Sequence, residues 1–186
     1  MKIGILGGTF NPPHLGHFIL AQEIQRKAKL DQVLFVPTNI PPHKESHNVC
    51  GRHRIKMLKL AIGGARRFGI SDVEIKRGGV SYTLDTIRRL KTLYPRYTFY
   101  LIIGSDLANN FGSWKYHKEI KKEVKIIVGR RSRHPLKKVS GFRGVNITHI
   151  GVSSSQIRAL IKKGFSIKYL VPEKVREYIE ENKLYK

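Results

Sequence analysis

Ile3-Gly4-Ile5-Leu6-Gly7-Gly8-Thr9-Phe10-Asn11-Pro12-Pro13-His14-Leu15-Gly16-His17 stands almost at the start of the chain. Its apolar run Ile3 to Leu6 predicts a buried strand, and Gly7-Gly8 ends it. Leu15 to Lys29 predicts a helix, with Phe18, Ile19, Ala21, Ile24 and Ala28 near helical spacing. A strand that turns through glycines into a helix is suited to an anion. The glycines let the backbone approach a ligand closely, and the helix start offers free N–H groups. Gly7-Gly8 alone also reads as a plain tight turn. His14 and His17 lie at i and i+3, so both can face one site at the helix start, and Gly16 removes the side chain that would crowd them. A zinc pair is the rival reading of these histidines. No third ligand is evident nearby, and Glu23 should not share the face of His17.

Outward from this stretch, short apolar runs alternate with longer amphipathic ones. Strands are expected at Val33 to Val36, Ile70 to Ile75, Tyr97 to Ile103, Val124 to Val128 and Val145 to Ile150. Helices are expected at Arg52 to Phe68, Leu84 to Tyr94, Ser153 to Lys163 and Pro172 to Asn182. Residues 37 to 50 read as a Pro/His/Asn-rich loop. Strand alternating with helix implies an α/β, Rossmann-like, mostly parallel sheet with helices on both faces. Residues 1–186 are expected to form one domain, with a small helical C-terminal part from about 152 to 186. Ligands of such folds bind beyond the carboxyl ends of the strands.

The 186 residues carry 36 Lys and Arg against 13 Asp and Glu, a net charge of +23. Such a field favours polyanions: nucleic acid, an acidic membrane or phosphorylated small molecules. Cys50 is the single cysteine, which excludes an intrachain disulfide framework. No segment approaches a membrane span and the N-terminus lacks a signal-type apolar region, so the expectation is a soluble, cytoplasmic protein with no membrane partner.

A second motif, Gly151-Val152-Ser153-Ser154-Ser155-Gln156-Ile157-Arg158, precedes a helix. Its hydroxyls offer N-caps beside phosphate-binding N–H groups, and Arg158 can fork onto a phosphate oxygen. Ser-rich N-caps are also commonplace. Further along, Pro41-Pro42-His43-Lys44 follows the second strand, and Gly78-Gly79-Val80-Ser81-Tyr82-Thr83-Leu84-Asp85-Thr86 precedes a helix. Gly104-Ser105-Asp106 ends the strongest strand, with Trp114 after it, and Tyr169-Leu170-Val171-Pro172 through Tyr178-Ile179 closes the series.

The His-x-Gly-His junction resembles the signature of the nucleotidylyltransferase superfamily, and Val152 to Arg158 resembles its Ile-Ser-Ser-Thr-x-x-Arg motif. Taken in order along nearly the whole chain, the motifs resemble bacterial-type nicotinate-nucleotide adenylyltransferase. That resemblance implies a reaction of ATP with nicotinate mononucleotide, giving deamido-NAD and pyrophosphate. It implies that His14, His17 and Arg158 stabilise the phosphoryl transition state. Gly7, Gly8, Thr9, Phe10, Lys44, Gly104, Asp106, Arg130, Ser153, Ser154 and Ser155 would hold ATP. Tyr82, Thr83, Thr86, Trp114 and Tyr116 would hold the mononucleotide. Mg²⁺ would accompany ATP, carried by its phosphates and water, with no resident metal site on the protein. The Thr86 hydroxyl would donate to a nicotinate carboxylate, so Thr86→Val should weaken preference for the acid.

Trp114 also reads as a core or lid residue and Asp106 as a helix N-cap. The sequence departs from the family pattern at Asn11, where many relatives have Asp, at Lys115, which separates Trp114 from Tyr116, and at Arg131, where relatives often have Pro. Nicotinamide mononucleotide, both mononucleotides, or phosphopantetheine stay open as acceptors, and so does homo-oligomerisation. A basic nucleic-acid-binding protein is the reading from another class. No helix-turn-helix, zinc finger or aromatic RNA-binding signature supports it, so no specific nucleic-acid partner is expected. His43, His47, Cys50 and His53 form a donor-rich loop of non-standard metal spacing, read as a polar loop. The basic run Arg130 to Arg143 reads as a solvated segment that helps steer polyanions.

Overall fold

The computed structural model describes residues 1–41, 49–130 and 141–186. The expected Lys44 contact, His43 and His47 of the donor-rich loop, and residues 131–140 of the basic run lie outside them.

Among the described residues six strands form one fully parallel sheet. They are β1 (Lys2–Gly8), β2 (Gln32–Pro37), β3 (Phe68–Ile70), β4 (Thr98–Gly104), β5 (Lys125–Arg130) and β6 (Phe142–Asn146). Their order is β3-β2-β1-β4-β5-β6, so the chain reverses its direction of travel across the sheet between β1 and β4. That reversal leaves a crevice beyond the carboxyl ends of β1 and β4. The register sets Gly8 beside Pro37, and Gly104 beside Gly129.

Both faces of the sheet are covered, which is why its central strands are continuous apolar runs rather than alternating ones. Successive residues still point to opposite faces. Ile3, Ile5, Leu101, Ile103, Ile126 and Val128 pack on one side, with Leu84, Ile87 and Leu90 of α4 (Thr83–Leu93) and Ile120 of α6 (His117–Glu123). Leu6, Ile102 and Ile127 pack on the other, with Leu20, Ala21 and Ile24 of α1 (Leu15–Lys27) and Leu58 of α2 (Gly51–Ile62). A third cluster joins Met57 of α2 to Ile157 of α7 (Ser154–Lys162) and to Val175 and Ile179 of α8 (Glu173–Glu181). The Leu15 N–H donates to the Leu170 carbonyl, tying the first turn of α1 to this C-terminal layer.

Several expected boundaries move. The helix expected over 52–68 stops at Ile62, where Gly63-Gly64 follows and Gly64 takes a φ of +81°. Phe68 therefore enters β3, an edge strand paired only with β2. The strand expected over 70–75 is overturned beyond Ile70: Val73–Arg77 is a short helix, α3. The last strand is Phe142–Asn146, set by pairing with Ile126 to Arg130. Ile147 to Ile150 leave the sheet, and the Thr148 N–H donates to the Glu23 carboxylate. The short α5 (Ser105–Asn109), a 3₁₀ turn (Phe111–Ser113) and α6 had no separate signal in the sequence. Among the described residues no helix is long and apolar enough to cross a membrane.

One strand position is governed by space. A Cβ on Gly129 would lie 2.4 Å from Leu20 Cδ1 and 3.1 Å from Ile147 Cδ1. Gly129→Val should therefore lower unfolding stability by about 1–3 kcal/mol through overpacking. An unchanged urea midpoint would show that α1 gives way there at no cost.

Candidate active site

The turn between β1 and α1 is shaped by what lies beneath it. Phe10 takes a φ of +50° and buries its ring, 5.7 Å from Phe35 and 5.0 Å from His17 between centroids. What Phe10 can offer a nucleotide is therefore backbone, not side chain. His14 is the N-cap of α1, and its ring lies 3.7 Å from that of His17. A Cβ on Gly16 would stand 3.1 Å from His14 Nδ1, so glycine leaves that imidazole its room. The backbone N–H of His14 donates to His17 Nδ1 at 3.2 Å. A ring nitrogen that accepts must carry its lone pair, which puts the proton of a neutral His17 on Nε2.

The second motif is stitched to this turn. Ser153 caps α7 by accepting the Gln156 N–H. The Ser154 hydroxyl donates to the Pro12 carbonyl at 2.9 Å. Arg158 donates from Nη1 to the Asn11 carbonyl at 2.7 Å and from Nη2 to Ser155 Oγ at 3.2 Å. The Tyr185 hydroxyl donates to Asn11 Oδ1. The Ser154 hydroxyl is thus engaged within the fold. A hydroxyl has one proton, and while Ser154 holds Pro12 it has none for a phosphate. Ser153 and Ser155 remain exposed.

Beneath the turn, Arg54 of α2 is almost fully buried and donates from Nη1 to the carbonyls of Thr9, 2.9 Å, and Thr38, 2.6 Å. Burial pulls its guanidinium below the ordinary arginine value.

A cavity of about 490 Å³ opens from here beyond the carboxyl ends of β1 and β4. Gly7, Gly8 and Thr9 line it, and so do Trp114 and Lys115. Ile5, Val36, Leu101 and Ile103 give it an apolar floor. Tyr82, Thr83 and Thr86 join the wall. The Trp114 ring is backed by Phe111 at 5.2 Å and belongs partly to the core, while the residue also lines the cavity. Gly104 is buried at the end of β4. In the first turn of α5, Asp106 Oδ1 is buried with no hydrogen-bond donor among the described residues.

A sequence profile of the cytidylyltransferase-like family matches residues 5–160. A "Probable nicotinate-nucleotide adenylyltransferase" of Oceanobacillus iheyensis is 42% identical over 184 residues, spanning 99% of this chain and 96% of the relative. Its namesake in Borrelia hermsii is 40% identical over 187 residues, spanning 100% of this chain and 98% of the relative. The chain belongs to the nicotinate-nucleotide adenylyltransferase family. Among solved structures, Plasmodium falciparum nicotinic acid mononucleotide adenylyltransferase complexed with NaAD matches with a TM-score of 0.86 at 24% identity, covering 99% of this chain and 97% of the other. At that identity the match speaks for the fold.

Three further family-based expectations change on contact with the geometry. Tyr116 takes a φ of +64° as N-cap of α6, stays exposed and does not line the cavity; Lys115 takes that place. Arg130 is exposed and lies over the Gly144 backbone, outside the cavity lining. Thr86 does face the cavity, but its hydroxyl donates to Glu74 Oε1 at 2.6 Å. It cannot also donate to a nicotinate carboxylate, so the Thr86→Val argument from the sequence fails.

Glu74 itself was not anticipated from the sequence. It lines the cavity almost fully buried, and burial pushes its carboxyl above the usual range, against the hydrogen bonds of Ser81 and Thr86 and the charges of Arg77 and Arg54. The folded state thus holds a proton that the unfolded state releases. Glu74 favours folding below the ordinary glutamate pKa, and this contribution is lost as pH rises through the raised folded value. Glu74→Gln keeps an acceptor without the charge. Its stability relative to the parent should rise as pH increases above the ordinary glutamate range. A difference that stays flat across denaturation curves above that range would contradict the raised value.

Proposed function

We propose that this chain transfers the adenylyl group of ATP to nicotinate mononucleotide, giving deamido-NAD and pyrophosphate. One observation carries the reading. A single cavity extends from the glycine turn, where Gly7 and Gly8 let a phosphate approach the backbone closely, to the Trp114 ring, against which a pyridine can stack. The two substrates then lie end to end, with their phosphates meeting near the turn.

In the transfer, a phosphate oxygen of the mononucleotide attacks the α-phosphorus of ATP. The new P–O bond forms as the bond from the α-phosphorus to the bridging oxygen breaks, and pyrophosphate leaves with that electron pair. The nucleophile is already anionic, so no side chain needs to take its proton. The protein's part is positioning and charge stabilisation. His17 donates from Nε2, the nitrogen its Nδ1 contact leaves protonated. Arg158, oriented by Asn11 and Ser155, adds positive charge beside it. The buried, donor-lacking Asp106 Oδ1 suits a ribose hydroxyl. Mg²⁺ would accompany ATP, held by the phosphates and water, and would supply further positive charge there. The +23 charge of the chain draws both anionic substrates in.

Pyrophosphate release measured with ATP and a panel of acceptors tests the reading. Nicotinate mononucleotide should support turnover; if it is inert while phosphopantetheine reacts, the acceptor assignment falls. His17→Ala should lower kcat about 10²- to 10³-fold, the loss typical of one transition-state donor. Arg158→Lys keeps the charge but loses the guanidinium fork, and should be impaired as well. Parent-like kinetics in both variants would remove these side chains from the chemistry.

A further inference from the structure

Lys115 sits beside Trp114 and lines the same cavity. Its ammonium stands 4.5 Å from the centroid of the Tyr82 ring and 5.0 Å from that of Tyr116. These two rings meet edge to face at 6.5 Å. The αL backbone of Tyr116 is what turns its ring outward and makes it the second wall of this seat. Ring faces attract a cation through their quadrupole but leave its charge uncancelled.

The charged groups around it are few. Asp85, in the first turn of α4, adds only a weak attraction. Among the described residues Lys115 makes no ion pair within 4.0 Å. On the cavity wall the acid is Glu74, already engaged by Ser81 and Thr86, with Arg54 and Arg77 nearby. The Tyr116 hydroxyl bonds to the ammonium and favours its charged form.

We infer that Lys115 is a specificity-determining residue, its aromatic-seated ammonium pairing with a carboxylate carried by the ring stacked on Trp114, so that the acid is selected over the neutral amide. The inference rests on the acceptor proposed above. It takes over the role expected of Thr86, whose proton is committed to Glu74. A carboxylate gains a Coulombic partner here, while an amide of the same shape gains none.

The experiment is kcat/KM for nicotinate and nicotinamide mononucleotides, each at saturating ATP, in the parent, Lys115→Met, Lys115→Arg and Lys115→Glu. Lys115→Met should cut the acid-over-amide ratio about 3- to 10-fold. Lys115→Arg should retain most of the ratio, and Lys115→Glu should lower it further than Met. Added salt should compress the ratio in the parent and leave it nearly unchanged in Lys115→Met. An equal loss with both mononucleotides would mean that Lys115 serves their shared phosphate or the local fold, and would overturn the inference. An unchanged ratio would overturn it too. A parent chain that turns over neither mononucleotide refutes the acceptor assignment itself, and this inference falls with it.

Discussion

The site depends on one buried guanidinium. Arg54 holds the carbonyl of Thr9, just past β1, and that of Thr38, just past β2. It thereby fixes the turn that carries the histidines against the neighbouring strand. Its stem rises from a helix anchored twice, by Leu58 under the sheet and by Met57 in the C-terminal layer. Taking an arginine out of water is costly, and the two backbone acceptors offset part of that cost.

On this base, polar groups divide between holding and offering. Ser154, Thr86 and Ser81 spend their protons on Pro12 and Glu74, and so hold the loops together. Asp106 and Lys115 have geometry that leaves them something for a ligand: a buried acceptor and a seated cation. Hydroxyls next to a phosphate motif look alike in sequence. Only the contact each makes decides which group it joins.

Legibility followed the strength of the local signal. β1, β2, β4 and β5 are apolar runs that sit between two covered faces, so their local composition alone marks them as buried strands. β3 spans three residues and is created by its pairing with β2, so the apolar spacing of Ile70, Val73 and Ile75 was taken for strand where α3 forms. The His14/His17 pair was legible because its spacing and the preceding strand are local facts. Tyr116 and Lys115 were exchanged because a single positive φ reverses which side chain faces in, and no residue type announces it. Arg54 did leave a trace: it shares a helical face with Met57 and Leu58, where an arginine is out of place. Glu74 left none, since its burial comes from α4 packing over α3.

The central claim is a direct displacement between two substrates laid end to end, with no covalent link to the protein. The stereochemical course at the α-phosphorus tests it most directly. The chain would be given nicotinate mononucleotide and ATP made chiral at that phosphorus by sulfur substitution, and the configuration of the dinucleotide determined. A single in-line attack predicts inversion. Retention would require two successive displacements through an adenylylated side chain, and would contradict the account.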